Sequence, residues 1–281
     1  MSKSLPKALT SYDLLKTVAI ILMVVDHVGH FFYPDDMWFR TWGRLCIPIW
    51  FFLIGYANTT KIPNSWWIGG TILVISSLIA GQYLLPLNIL FTMAIFRIYR
   101  AGVVRHSLAS PETLRGMFLI LFFLGFPTAI LFEYGALAML MVLIGYITRR
   151  REEVYERIEK KYVLLYVFCS YTALYLILGI AMPTLSGAQA LLMLVGFIIV
   201  GVVLWRFKPV TYDNADKYVA PSVIKMLQFT GRKTLEIYVA HILIFRATAA
   251  YLYPEKYQLL QWNWVPETLV AMFRMGNQAI Q

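Results

Sequence analysis

The chain has 281 residues, 59% of them hydrophobic and 14% charged, with a mean hydropathy of +0.65. These proportions exclude an ordinary soluble domain, which builds a core of this size from far less apolar material. The absence of alternating ~10-residue segments excludes a β-barrel, and the net charge of +10 has a reading in membrane topology that needs no nucleic acid.

Several apolar runs approach the ~20 residues that cross a bilayer. They predict helices over 13–33, 42–58, 66–85, 88–100, 114–132, 134–148, 162–181, 187–205 and 233–252, with an amphipathic or half-spanning piece at 262–278. The expected fold is all-α: a polytopic membrane helix bundle of about nine (eight to ten) transmembrane helices in a single domain, 1–281. Lys3 and Lys7 precede the first run, yet no small-residue cleavage site follows it. It reads as an uncleaved helix rather than a signal peptide. Cys46 and Cys169 lie inside apolar runs without ligand spacing, so neither a metal site nor a disulfide framework is expected.

Charge alternates along the connections. The stretches 1–16, 59–65, 97–115, 149–161 and 206–233 hold 20 of the 25 Lys and Arg, whereas the intervening connections hold only Arg40 and Lys256. Basic loops stay cytoplasmic, which predicts a cytoplasmic N-terminus and accounts for the net charge. "RRREEVYERIEKKY" (149–162) reads as a solvated helical segment with i,i+4 ion pairs.

Ionisable residues interrupt the apolar runs. In "KTVAIILMVVDHVGH" (16–30), Lys16 and His27 are eleven residues apart. Eleven steps make about three helical turns, so both face one side, ~16 Å apart along the axis. Asp13 shares that face and is placed to pair with Lys16, and Asp26 with His30. Arg44, Glu133, Glu236, His241 and Arg246 are the other membrane-embedded polar residues, and His241 reaches a depth similar to His27. Charged groups inside a bilayer need a partner or water and mark functional sites. A lone intramembrane His also serves simply to hydrogen-bond a neighbouring helix, and that role or simple exposure is the reading preferred for both His30 and His106. From the residues alone, transport and general-base catalysis both stay open.

"YDLLKTVAIILMVVDH" followed by "GRLCIPIWFFLIGYANT" resembles the start of the TraX family, and "LNILFTMAI", "EYGALAMLMVLIGY" and "IYVAHILIF" resemble its later segments, in order. The same landmarks resemble the wider superfamily of transmembrane acyltransferases that includes the acyltransferase-3 family. There an Asp, an Arg three residues on and a His eleven beyond it open the chain; here these are Asp13, Lys16 and His27. Lys keeps the charge but loses the planar fork of Arg.

The resemblance implies an acetyltransferase of the bacterial inner membrane, moving acetyl from cytoplasmic acetyl-CoA to a pilin N-terminus or a surface glycan. It assigns donor binding to Lys16 and catalysis to His27. Around these, Asp13, Arg97 and Arg100 are expected at the donor mouth, and Asp26 and His241 beside His27. Arg44 and Glu133 are expected on the acceptor side. Direct transfer and an acetyl-His27 intermediate stay open, as do a transporter or flippase and a non-catalytic appendage-assembly factor.

Overall fold

The computed structural model describes residues 8–265, apart from 58, 258 and 262. The piece expected at 262–278 therefore lies almost wholly outside the described residues. The chain is all-α, and its two strands, β1 (Leu9–Thr10) and β2 (Thr211–Tyr212), form a single short antiparallel pair.

Helix α1 (Ser11–Phe32) starts at a capping box: the Thr10 side chain accepts from the Asp13 amide, and the Asp13 carboxylate accepts from the Thr10 amide. The run expected over 42–58 is broken. A short α2 (Met37–Gly43), capped by Asp36, turns at Arg44–Leu45 into α3 (Cys46–Tyr56). Next come α4 (Asn64–Ile79), α5 (Ile89–Ser107) and α6 (Pro111–Thr128). The expected basic loop 97–115 is thus mostly helix. Arg97 and Arg100 sit on the buried side of α5, and only a short link, Leu108 to Ser110, joins it to α6.

A 3-10 turn (Gly135–Ala138) leads into α7 (Met139–Arg149), followed by α8 (Arg151–Tyr155). The charged segment 149–162 forms ion pairs at other spacings than expected, Arg150 with Glu153 and Lys161 with Glu159, because the helix breaks after Tyr155. Helices α9 (Lys160–Ile180) and α10 (Gly187–Trp205) follow. The connection expected at 206–233 contains α11 (Pro221–Arg232), opened by proline at its first turn, and α12 (Thr234–Leu252) ends the helical series.

Each of the nine expected intervals holds a helix. Among the described residues, α1, α9, α10 and α12 are long and apolar enough to cross a membrane, and α4 and Gly135–Arg149 are shorter apolar helices. At the centre, α3 and α7 are buried on nearly every face. Their backbones meet at Gly55 and Gly145: a Cβ on Gly55 would stand 1.7 Å from the Val142 carbonyl oxygen, and one on Gly145 2.1 Å from that of Phe52. Small residues at a crossing of this kind let apolar helices pack without a hydrophobic driving force. Outward faces carry large apolar side chains such as Phe123, Phe168, Ile180 and Ile198, as lipid-facing helices do.

The basic connections converge on one end. Arg100 caps the α3 carbonyls of Ile54 and Ala57, Arg149 donates to Tyr56 O and Arg151 to Trp205 O. Ser11 joins α1 to Lys208 and Val210, and Arg232 joins α11 to Asp13. At the opposite end, Glu133 N donates to Leu87 O, Leu84 N to Asn263 O and Arg246 to Gln82.

Candidate active site

Helix α1 spends its two aspartates on structure. Asp13 takes a two-pronged bond from Arg232 at 3.1 and 3.0 Å, in addition to its capping role. The expected pairing with Lys16 is therefore corrected: the Arg232 fork from α11 engages both carboxylate oxygens, and among the described residues no ion pair joins Asp13 to Lys16. Asp26 pairs with Arg40 at 2.9 Å and Arg44 Nε at 3.5 Å, instead of hydrogen-bonding His30. The close approach of α2 makes this possible, since a Cβ on Gly43 would fall 2.3 Å from Asp26 Cβ. Arg44 also donates to the Tyr134 hydroxyl at 2.9 Å, so it belongs to this ion cluster and does not line the acceptor-side chamber expected for it. Tyr134 holds φ +67°, a left-handed conformation that non-glycine residues seldom adopt.

His27, one residue beyond Asp26 and so about 100° further round the helix, meets α12 instead. Its Nδ1 lies 2.8 Å from His241 Nε2, and His241 Nδ1 lies 2.7 Å from the Ile237 carbonyl oxygen. A carbonyl only accepts, so His241 Nδ1 carries a proton. In the neutral pair His241 Nε2 is then an acceptor, and His27 Nδ1–H donates to it. His27 Nε2 is left with its lone pair. The chain of bonds fixes the His27 ring and leaves its Nε2 able to accept a proton.

Two cavities run in succession along α1 and α12, the first walled also by α3, α4 and α5 and the second by α4. The first, about 270 Å³, starts at the basic end beside Tyr12, Lys16 and Arg97 and extends along α1 to Met23. Among the described residues Lys16 makes no hydrogen bond or ion pair. Arg97 stacks over Trp66 at 4.4 Å and donates to Lys61 O, while its buried Nε has no partner. Arg100, expected at the same mouth, lines a different surface cleft and spends its donors on the end of α3. The second cavity, about 120 Å³, holds His27, His30, Glu133 and Arg246 at the opposite end. Arg246 is fixed there by Gln82, Leu73 O and the Ser76 hydroxyl. His106 is exposed at the end of α5.

Sequence reasoning thus placed His27 with His241, Lys16 with Arg97, and Glu133 in the distal chamber. It missed Tyr238, which lines both cavities, with its ring centroid 6.2 Å from that of His27 and 5.8 Å from that of His241. Its spacing held a signal: Tyr238 precedes His241 by three residues and so shares its helix face. Among the described residues, no group of three or more His, Cys, Asp or Glu is arranged to hold a metal ion.

The chain is similar to an uncharacterized protein of Rickettsia prowazekii (strain Madrid E), 30% identical over 148 residues, which is 51% of this chain and 58% of that protein. The match thus spans little more than half of that relative's length. No solved structure matches. The family model described as TraX protein matches residues 11–246, from the first turn of α1 to Arg246 in the distal chamber, and the chain belongs to the TraX family.

Proposed function

We propose that the protein is an inner-membrane acetyltransferase with about nine spans and a cytoplasmic N-terminus, drawing acetyl groups from cytoplasmic acetyl-CoA. The observation that carries this reading is the His27–His241 bond at 2.8 Å, standing beyond the inner end of a cavity whose mouth holds Lys16 and Arg97. The convergence of the basic connections on the end that holds this mouth supports the orientation, because basic loops are retained on the cytoplasmic side.

The first cavity, about 270 Å³, falls just below the ~300–1,000 Å³ range of ligand pockets. It suits the acetyl-pantetheine arm, with the nucleotide outside. Lys16 and Arg97 offer cationic donors to its phosphates, and Leu53, Ile54, Met93 and Leu235 offer the arm an apolar wall. The acceptor, an amine or hydroxyl of a pilin N-terminus or a surface glycan, enters the distal chamber past Glu133 and Arg246.

His27 Nε2 removes the acceptor proton as its nitrogen or oxygen attacks the thioester carbonyl. The C–S bond breaks, and the proton passes to the departing CoA thiolate. His241 fixes the His27 tautomer and shares the positive charge while His27 is protonated. The wider kinship with acyltransferase-3 proteins rests on the Asp13, Lys16 and His27 pattern.

The test is acetyl-CoA consumption by purified protein, followed as free CoA thiol, with envelope fractions as acceptor. Release of CoA together with an acetyl mark on envelope material is expected. Absence of both, with substrate flux in proteoliposomes lacking acetyl-CoA, overturns the reading in favour of a transporter.

A further inference from the structure

The two cavities follow one another along α1 and α12 and share the Tyr238 side chain in their linings. Along α12 the first cavity is lined by Thr234, Leu235 and Tyr238, and the second by Tyr238, Ile242 and Arg246. Along α1 the first ends at Met23 and the second begins at His27. Along α4 the lining passes from Trp66 to Leu73, Val74 and Ser77. Among the described residues, Tyr238 alone lines both cavities. It is 7% exposed, and among the described residues its hydroxyl makes no hydrogen bond. The ring stands against both histidines, with Tyr238 and His241 three residues apart on one face of α12.

We propose that Tyr238 is the partition between a donor compartment and an acceptor compartment, a positioning residue that keeps water and acceptor in the distal chamber away from the thioester except where His27 stands. This rests on the acetyltransferase reading. A thioester is open to attack by water as well as by the intended acceptor. Water attack gives acetate and free CoA thiol, with no product on the acceptor. An enzyme whose substrates come from opposite ends of one crevice therefore needs a wall at the meeting point, and excluding water from a reactive group is a recognised use of a closed site. An aromatic ring supplies bulk with few rotatable bonds. The neighbouring lining offers no comparable block, since Thr234, Leu235 and Ile242 lie on either side of it along α12.

Two measurements test this. In the first, purified protein is given acetyl-CoA labelled in the acetyl group, with and without envelope acceptor, and free acetate is compared with transferred acetyl. Tyr238→Ala is expected to raise the acetate-to-transfer ratio by about tenfold, because the compartments merge and admit water. Tyr238→Phe keeps the ring and is expected to stay near the wild-type ratio. A merely structural role lowers both products together and leaves the ratio unchanged, and that result overturns the proposal.

The second measurement needs no activity. In a protein with Cys46 and Cys169 replaced by alanine, His27→Cys is probed in sealed vesicles with a membrane-impermeant methanethiosulfonate reagent. Labelling is expected only from the face opposite the basic connections, and from both faces once Tyr238→Ala is added. Labelling from both faces with Tyr238 intact overturns the partition. If wild-type protein consumes no acetyl-CoA but the labelling stays one-sided and becomes two-sided on Tyr238→Ala, the acetyltransferase reading fails while the wall stands.

Discussion

Asp26 and His27 are consecutive on α1, yet they serve different sides of the molecule. On the α2 side, Asp26 is held by Arg40 and Arg44, and Arg44 passes the connection on to Tyr134. On the α12 side, the His27 side chain has a single hydrogen-bond partner among the described residues, His241, and faces a chamber. One region is closed and packed around a paired charge. The other leaves a ring nitrogen available. The difference teaches that ionisable residues within an apolar run do not form one class: the turn of the helix sorts them into ion pairs that hold helices together and groups that address a cavity.

The largest expected effect lies on the closed side. Asp26→Ala leaves two arginines without their counter-charge, and removing one partner of a buried ion pair costs about 3–5 kcal/mol. A steep fall in the thermal unfolding midpoint in detergent is expected. A midpoint equal to wild type breaks the comparison, because Asp26 would then be no more structural than its neighbour.

Arg232→Ala is next. It removes a charged two-pronged bond to Asp13 that is partly open to solvent, and hydrogen bonds to charged groups contribute about 1.5–3 kcal/mol. A smaller drop in the same midpoint is expected, with CoA affinity retained. Loss of CoA affinity at an unchanged midpoint would place Arg232 in the donor site instead.

The smallest effect on stability is expected one turn away from Asp13, at Lys16. Lys16→Ala should lower the unfolding midpoint least of the three, because the half-buried Lys16 makes no hydrogen bond or ion pair among the described residues. Calorimetry should find weaker CoA binding in Lys16→Ala, with much of it retained in Lys16→Arg. Equal CoA affinity in Lys16→Ala removes Lys16 from the donor mouth.

Much of this arrangement was legible beforehand, for physical reasons. Apolar runs mark helices, so each of the nine intervals holds one. Depth along α1 and α12 follows from counting residues, which put His27 and His241 at one level. Short α2 and α11 escaped because their charged and polar residues, Arg40 in one and Lys225 and Arg232 in the other, read as connection. Arg97 and Arg100 read as loop residues in the sequence because basic side chains ordinarily leave a helix for water. Here Arg97 lies along Trp66 and Arg100 caps α3. The partners of Asp13 and Asp26 come from α11 and α2, so no pattern within α1 names them. The tautomer of His27 depends on the Ile237 carbonyl, and the place of Tyr238 depends on where two cavities stop. Both are tertiary facts.

The most direct test of the central claim compares His27→Ala with wild type in acetyl-CoA consumption, alongside thermal unfolding of the same samples. Loss of the general base is expected to cut turnover by about 10²–10⁴-fold, with an unfolding midpoint close to wild type. Full turnover in a folded His27→Ala protein would contradict the account.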